Sequence, residues 1–316
     1  MKKKGQADKK LTKEIEKIAR SAGASLVGFG NVGRWDNAPP EANPRCILPI
    51  TESVVAIAMP QSRGALMAVE EGTYWQAYNV DSYWYLNDVE APRVLRKIVL
   101  HLESRGHTAI SVHNPFFHNQ GRKLRPEHAT GPDGIVSSRM LGVCCGLGEL
   151  GMSKLLLTPQ FGPRQRVFAV FTDAFFVPTP LFTGRICDEC RLCASECEAG
   201  AIGYERSVKL SVEGREFSHA PLDTGACGRV HPGSAPEWSP FWKGTEKPGE
   251  QPNYHKCISE RFNHLGICAG RSCIRSCLDH LEKTGRIETK FNAPLIDKPR
   301  WKIAPVRPQE KGESEI

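Results

Sequence analysis

The segment CDECRLCASEC sets Cys187, Cys190, Cys193 and Cys197 at the spacing C-x2-C-x2-C-x3-C. Three cysteines on a tight loop can wrap three corners of a cubic iron–sulfur cluster. The fourth, at the start of a helical turn, points away and reaches a second cube. Iron of this kind is soft and prefers thiolate, and four thiolates satisfy a cube completely. The run therefore predicts a second group, and Cys257, Cys268, Cys273 and Cys277 supply it.

By this exchange Cys187, Cys190, Cys193 and Cys277 hold one [4Fe–4S] cluster. Cys197, Cys257, Cys268 and Cys273 hold the other. Zinc is the alternative for the first group, although zinc sites seldom use four cysteines at this spacing. A three-iron cluster, or a cube short of one ligand, is the alternative for the second, because four residues separate Cys268 from Cys273 where two are usual. Glu198 and Leu278 stand where a proline usually follows the fourth cysteine of each run. Cys46, Cys144, Cys145 and Cys227 are left over. Small buried thiols are their ordinary role, and Cys227 is the one to test as a replacement ligand.

The twelve cysteines also bear on compartment. Disulfide-dense secreted chains are usually short and carry a signal peptide. MKKKGQADKK has charge but no apolar core and no twin arginine, so a reducing cytoplasm is expected. No apolar run reaches the length of a membrane span. Five lysines and one aspartate in the first ten residues carry +4 of the formal +7, so the charge does not by itself argue for nucleic acid.

Before the cysteines the chain reads as an α/β layer pattern. Residues 11–22 are an amphipathic helix stopped by Gly23. SLVGFG (25–30), SVVAIAMP (53–60), TAISVH (108–113) and RVFAVFTD (166–173) are strands, and LLLTP (155–159) is extended. Residues 81–104 and 135–145 are helical in pattern, with Pro92 marking a kink or a new helix. Four stretches follow: a basic tail over 1–10, an α/β core over 11–180, a two-cluster module over 181–285 interrupted by 205–256, and a tail over 286–316. No Gly-rich dinucleotide fingerprint follows a strand and no P-loop is present.

SSRMLGVCCGLGELGMSKLLLTPQFGPRQRVFAVFTD (137–173), followed by both cysteine groups and by KCIS (256–259), resembles the corrinoid- and iron–sulfur-dependent reductases. These include the reductive dehalogenases and the epoxyqueuosine reductases. The resemblance spans roughly residues 10–280. It implies a nitroreductase-like α/β (α+β) core that binds cobalamin, followed by a dicluster ferredoxin-like module that feeds it electrons. The glycines Gly146, Gly148 and Gly151 would let backbone approach the flat macrocycle, with Thr158, Phe161 and Gly162 as a second wall. Tight turns are the other use for those glycines. On the cradle reading, a bulky residue at position 148 blocks corrin uptake and spares the clusters.

The resemblance also implies a proton donor. The epoxyqueuosine branch uses an aspartate upstream of the GLG segment, and Asp133 is the candidate. The dehalogenase branch uses a tyrosine beside a cation. Tyr74, Tyr78, Tyr83 and Tyr85 are available with Arg164 and Arg166, and Tyr85 and Arg166 are the candidates carried forward. His113, His118 and His128 are further donors. A low-potential donor such as ferredoxin or flavodoxin and a small organic substrate would be the partners. An epoxyqueuosine reductase acting on tRNA is the alternative, and a non-catalytic electron-transfer protein is a third.

Overall fold

The structure, a computed structural model, describes residues 5–74, 76–112, 127, 136–231 and 270–295. Asp8 opens α1 (Lys9–Ala22), its carboxylate accepting from the amides of Lys10 and Leu11 at 3.0 Å each. Gly23, at φ 120°, ends it. The strands β1 (Leu26–Asn31) and β2 (Ser53–Pro60) follow, then α2 (Arg63–Glu71). A π-helix spans Tyr78–Glu90 and runs into α3 (Ala91–Ser104), then β3 (Ala109–Val112) and α4 (Ser138–Cys144). A small hairpin of β4 (Glu149–Leu150) and β5 (Leu156–Leu157) precedes β6 (Gln165–Thr172). The cysteine-rich part holds α5 (Leu192–Ser195), β7 (Val208–Val212), β8 (Arg215–His219), α6 (Thr224–Val230) and α7 (Cys273–Lys283).

The main sheet has the order β1-β2-β6-β3, and every pair is antiparallel. All of β2 except Pro60 is buried, because helices cover both faces. Alternation sorts its side chains. Val55, Ile57 and Met59 join Leu11, Ile15, Leu95 and Ile98 under α1 and α3. Val54, Ala56 and Ala58 join Leu141, Val143 and Phe171 under α4. The fold is mixed α/β, as expected, and the strands lie where the apolar runs place them.

The helical pattern over 81–104 divides into two helices of different pitch. Pro92 sits in the first turn of α3, where its missing amide costs nothing. The wider π turn brings Asn79, Ser82 and Asn87 inward alongside Tyr78 and Leu86. Within the excursion over 205–256, the β7–β8 hairpin and α6 are ordered structure, and positions 232–256 lie outside the described residues.

A third apolar cluster joins α2 to α7 through Leu66, Val69, Ile274, Leu278 and Leu281. Two ion pairs fix that contact. Arg63 binds Glu282 through two nitrogens, at 3.0 and 2.8 Å, and Arg275 Nε meets Glu70 at 2.8 Å. Among the described residues no helix is long and apolar enough to cross a membrane.

Candidate redox centre

The loop that carries the first cysteine run is bent by two non-glycine residues in left-handed geometry, Glu189 at φ 63° and Arg191 at φ 64°. Such backbone is costly and persists where the surroundings require it. Its entrance is anchored by Glu149, whose carboxylate accepts from the amides of Ile186 at 2.6 Å and Cys187 at 2.7 Å. The bend turns Cys187, Cys190 and Cys193 into one cavity, and Cys277 of α7 completes its wall. The four residues expected to hold the first cluster therefore lie together.

A second cavity is lined by Cys197, Cys227 and Cys273, with Arg139 and Ser272 beside them. Cys257 and Cys268 lie outside the described residues, as does Asp133. Cys273 and Cys277 stand one turn apart on α7, a rise of about 6 Å. Cys277 lines the first cavity with Cys187, Cys190 and Cys193, and Cys273 lines the second with Cys197 and Cys227. One helix thus presents a thiol to each cavity.

Among the described residues, no three cysteine sulfurs all lie within 4.8 Å of one another. A tetrahedral zinc thiolate site needs sulfurs about 3.8 Å apart. Among the described residues, the one group of three ligand atoms all within 4.8 Å of one another is Asp188, Cys190 and His280, which contains a single cysteine. Asp188 and His280 are already an ion pair at 2.8 Å, joined by Arg286 at 3.2 Å. Burial, and then the neighbouring thiols, push Cys193 up to about 11 and Cys273 up to about 12. Any metal bound by these thiols would have to displace their protons, so its ligation would strengthen as pH rises.

The two departures from the usual cysteine pattern meet in space. Glu198, where proline is usual, is fully buried and pairs with Arg271, which is 6% exposed and lies in the lengthened spacer before Cys273. Ser272 Oγ adds a hydrogen bond to the Glu196 carbonyl at 3.0 Å. The pair ties the end of the first run to the start of α7. Breaking a buried pair leaves one charge uncompensated, so Glu198→Leu is expected to cost about 3–5 kcal/mol. Glu198→Leu with Arg271→Met should recover much of that loss in denaturant titrations of the cluster-loaded protein.

The chain itself packs against the side-chain faces of the glycine segment. A side chain at Gly148 would meet the Leu157 carbonyl oxygen at 1.9 Å, and one at Gly146 the Pro180 carbonyl at 2.3 Å. Gly151 faces the Leu157 side chain at 3.0 Å. Thr158 and Gly162 close a small bridge, with Phe161 N donating to Thr158 Oγ1 at 3.2 Å, and Gly162 packs on Leu281 of α7. At Gly146, Gly148 and Gly151 the space on the side-chain face is therefore taken by the chain itself. The expected effect of Gly148→Leu changes accordingly. It should cost about 3 kcal/mol or more through overpacking, and the melting transition should fall with cluster content instead of corrin uptake alone.

Of the tyrosine candidates, Tyr85 is 42% exposed. Arg166 lies over the ring of Tyr83, 4.5 Å from its centroid, and donates from Nε to Asn87 Oδ1 at 2.7 Å. Burial raises the Tyr83 hydroxyl above the ordinary phenol range, and Arg166 opposes that shift without cancelling it. Tyr83 therefore keeps its proton and can act as a donor. Tyr78 is buried and its hydroxyl accepts from Gln61 Nε2 at 3.2 Å. Tyr74 is exposed, and Arg164 is engaged with the Gln61 carbonyl. His113, His118 and His128 lie outside the described residues.

No family model matches the chain. Over 98 residues it is 39% identical to the tetrachloroethene reductive dehalogenase of Dehalobacter restrictus, a match covering 28% of this chain and 18% of that one. The enzyme of the same name from Sulfurospirillum multivorans is 37% identical over 73 residues, covering 22% and 15%. The catabolic reductive dehalogenase NpRdhA superposes with a TM-score of 0.55 at 19% identity, over 98% of this chain and 44% of that one. The chain resembles the reductive dehalogenases. A further reductive dehalogenase structure, presented as suggesting a mechanism for B12-dependent dehalogenation, superposes with a TM-score of 0.54 over the same shares at 18% identity. This chain thus spans less than half the length of those dehalogenase structures. At that identity the likeness is one of fold.

Proposed function

We propose that the chain is an iron–sulfur oxidoreductase of the reductive dehalogenase kind. Two [4Fe–4S] clusters would pass electrons to a corrinoid that reduces a small organic molecule. The observation that carries this reading is α7, which turns Cys277 to one set of thiols and Cys273, a turn earlier, to another. A shared helix with alternating ligands sets two clusters side by side, which suits electron transfer between them. The corrinoid rests on the resemblance. When bound, it would supply the strongly reducing centre, held by groups other than the side-chain faces of Gly146, Gly148 and Gly151.

The residues of this chain have separate tasks on this reading. Cys187, Cys190, Cys193 and Cys277 hold the first cluster, and Cys197 and Cys273 hold the second with Cys257 and Cys268. Glu149 fixes the entrance of the loop, and the pair Glu198–Arg271 fixes its exit. Tyr83 holds a proton at its hydroxyl, and Arg166 stabilises the phenolate left after transfer. A ferredoxin or flavodoxin in the cytoplasm would supply electrons.

The test is cofactor analysis of protein purified without oxygen from cells supplied with corrinoid. The expected result is about eight irons per chain, from two four-iron clusters, together with a corrin absorption band. Irons without corrin would make the chain an electron carrier. Salt-dependent binding of tRNA would favour the epoxyqueuosine reading instead.

A further inference from the structure

We propose that Cys227 is a ligand of the second cluster, taking a corner that the sequence pattern gives to Cys257 or Cys268. The inference rests on the two-cluster reading above and adds a ligand that the paired runs do not contain.

The first support is position. Cys197, Cys227 and Cys273 line one cavity, so three thiols from three separate segments converge there. Their approach is built by specific contacts. The Asp223 carboxylate accepts from Ala226 N at 2.9 Å and caps α6, which sets Cys227 in its first turns. Asp223 N in turn donates to the Ala201 carbonyl at 2.9 Å, and Ile202 bridges to Leu222. The segment just after Cys197 is therefore stitched to the segment just before Cys227. Cys197 Sγ is held from the same side by Ala201 N at 3.3 Å.

The second support is contrast with the other spare thiols. Cys144 Sγ points to the Arg34 carbonyl, Cys145 Sγ to the Val54 carbonyl and Cys46 Sγ to the Glu41 carbonyl. These are packing thiols with backbone partners. Cys227, alone among the four, lines a cavity with two expected cluster ligands.

The third support is the lining itself. Arg139 borders the same cavity, which sets a guanidinium beside the three thiols.

The experiment uses the full chain, loaded with iron and sulfide without oxygen and read by iron content and by electron paramagnetic resonance after reduction. Cys227→Ala should lose the second cluster's signal, with iron falling from about eight toward about four per chain. The first cluster's signal should remain, which also reports that the variant is folded. Of Cys257→Ala and Cys268→Ala, one should keep both clusters. In the unsubstituted protein, Cys227 should resist alkylation, mapped by mass spectrometry, until iron is chelated away.

Unchanged iron and spectra in Cys227→Ala would overturn the inference. So would loss of the second cluster in both Cys257→Ala and Cys268→Ala, or full alkylation of Cys227 while both clusters are present. Failure of the underlying reading looks different, because the unsubstituted protein itself would then hold no more than about four irons.

Discussion

Cys193→Ala, purified without oxygen, is expected to carry about four irons per chain instead of about eight and to show no turnover. Cys193 is 7% exposed and faces Cys187, Cys190 and Cys277 across the first cavity. Alanine removes one corner of the cube and leaves no other cysteine of the described residues to replace it. The apolar packing around position 193, with Met152, Ala194 and Ile202, is kept by the methyl group. The second cluster's signal should therefore survive and show that the fold does. Cys144→Ala is the control, since that thiol, at the end of α4, is buried and lines neither cavity, and its iron content should not change. An undiminished iron content in Cys193→Ala would remove it from the ligand set.

Tyr83→Phe is expected to lower turnover by about 10²–10⁴-fold, with both cluster signals unchanged. The substitution keeps the ring under Arg166 and deletes only the hydroxyl. Tyr85→Phe should be silent, because that ring is exposed. The sign of the pH dependence follows from burial. A phenol raised above its ordinary range stays protonated through neutral and mildly alkaline pH, so Tyr83 remains a competent donor there. Replacing Arg166 with glutamine removes the charge that opposes the shift, which raises the phenol further and slows proton release. Loss of activity in Tyr85→Phe with full activity in Tyr83→Phe would reverse the assignment.

Much of this architecture is legible along the chain. Strands such as SVVAIAMP appear where apolar runs end at Gly or Pro, because a buried strand needs little beyond β-branched and small apolar residues. The helix begun by Asp8 and ended by Gly23 follows from capping chemistry. The first cysteine run is legible for the same reason, since ligand spacing on one loop is a local property. Tyr83 is less so. A 3.6-residue period does not describe a segment that coils with i→i+5 bonds, so the inward face of Tyr78–Glu90 cannot be taken from an ordinary helical wheel.

The glycines show the same division. Their presence at 146, 148 and 151 signals close approach, but not of what. The partners are Pro180 and Leu157, brought there by chain reversals at β4–β5 and after β6. Glu198 and Arg271 read separately as two flaws in a familiar pattern, and only together as a buried ion pair. Cys227 reads as a spare thiol until α6 is docked beside Cys197.

From its order of residues alone, this chain declared the kind of ligand set it carries and the strands and helices on which it rests, because spacing, capping and apolar period act over a few residues. Which thiols share a cavity, which tyrosine meets the cation and what fills the space beside each glycine were settled by tertiary packing. Those are contacts between segments far apart in sequence, and their energies depend on burial and distance, which no short stretch of chain possesses before it is folded.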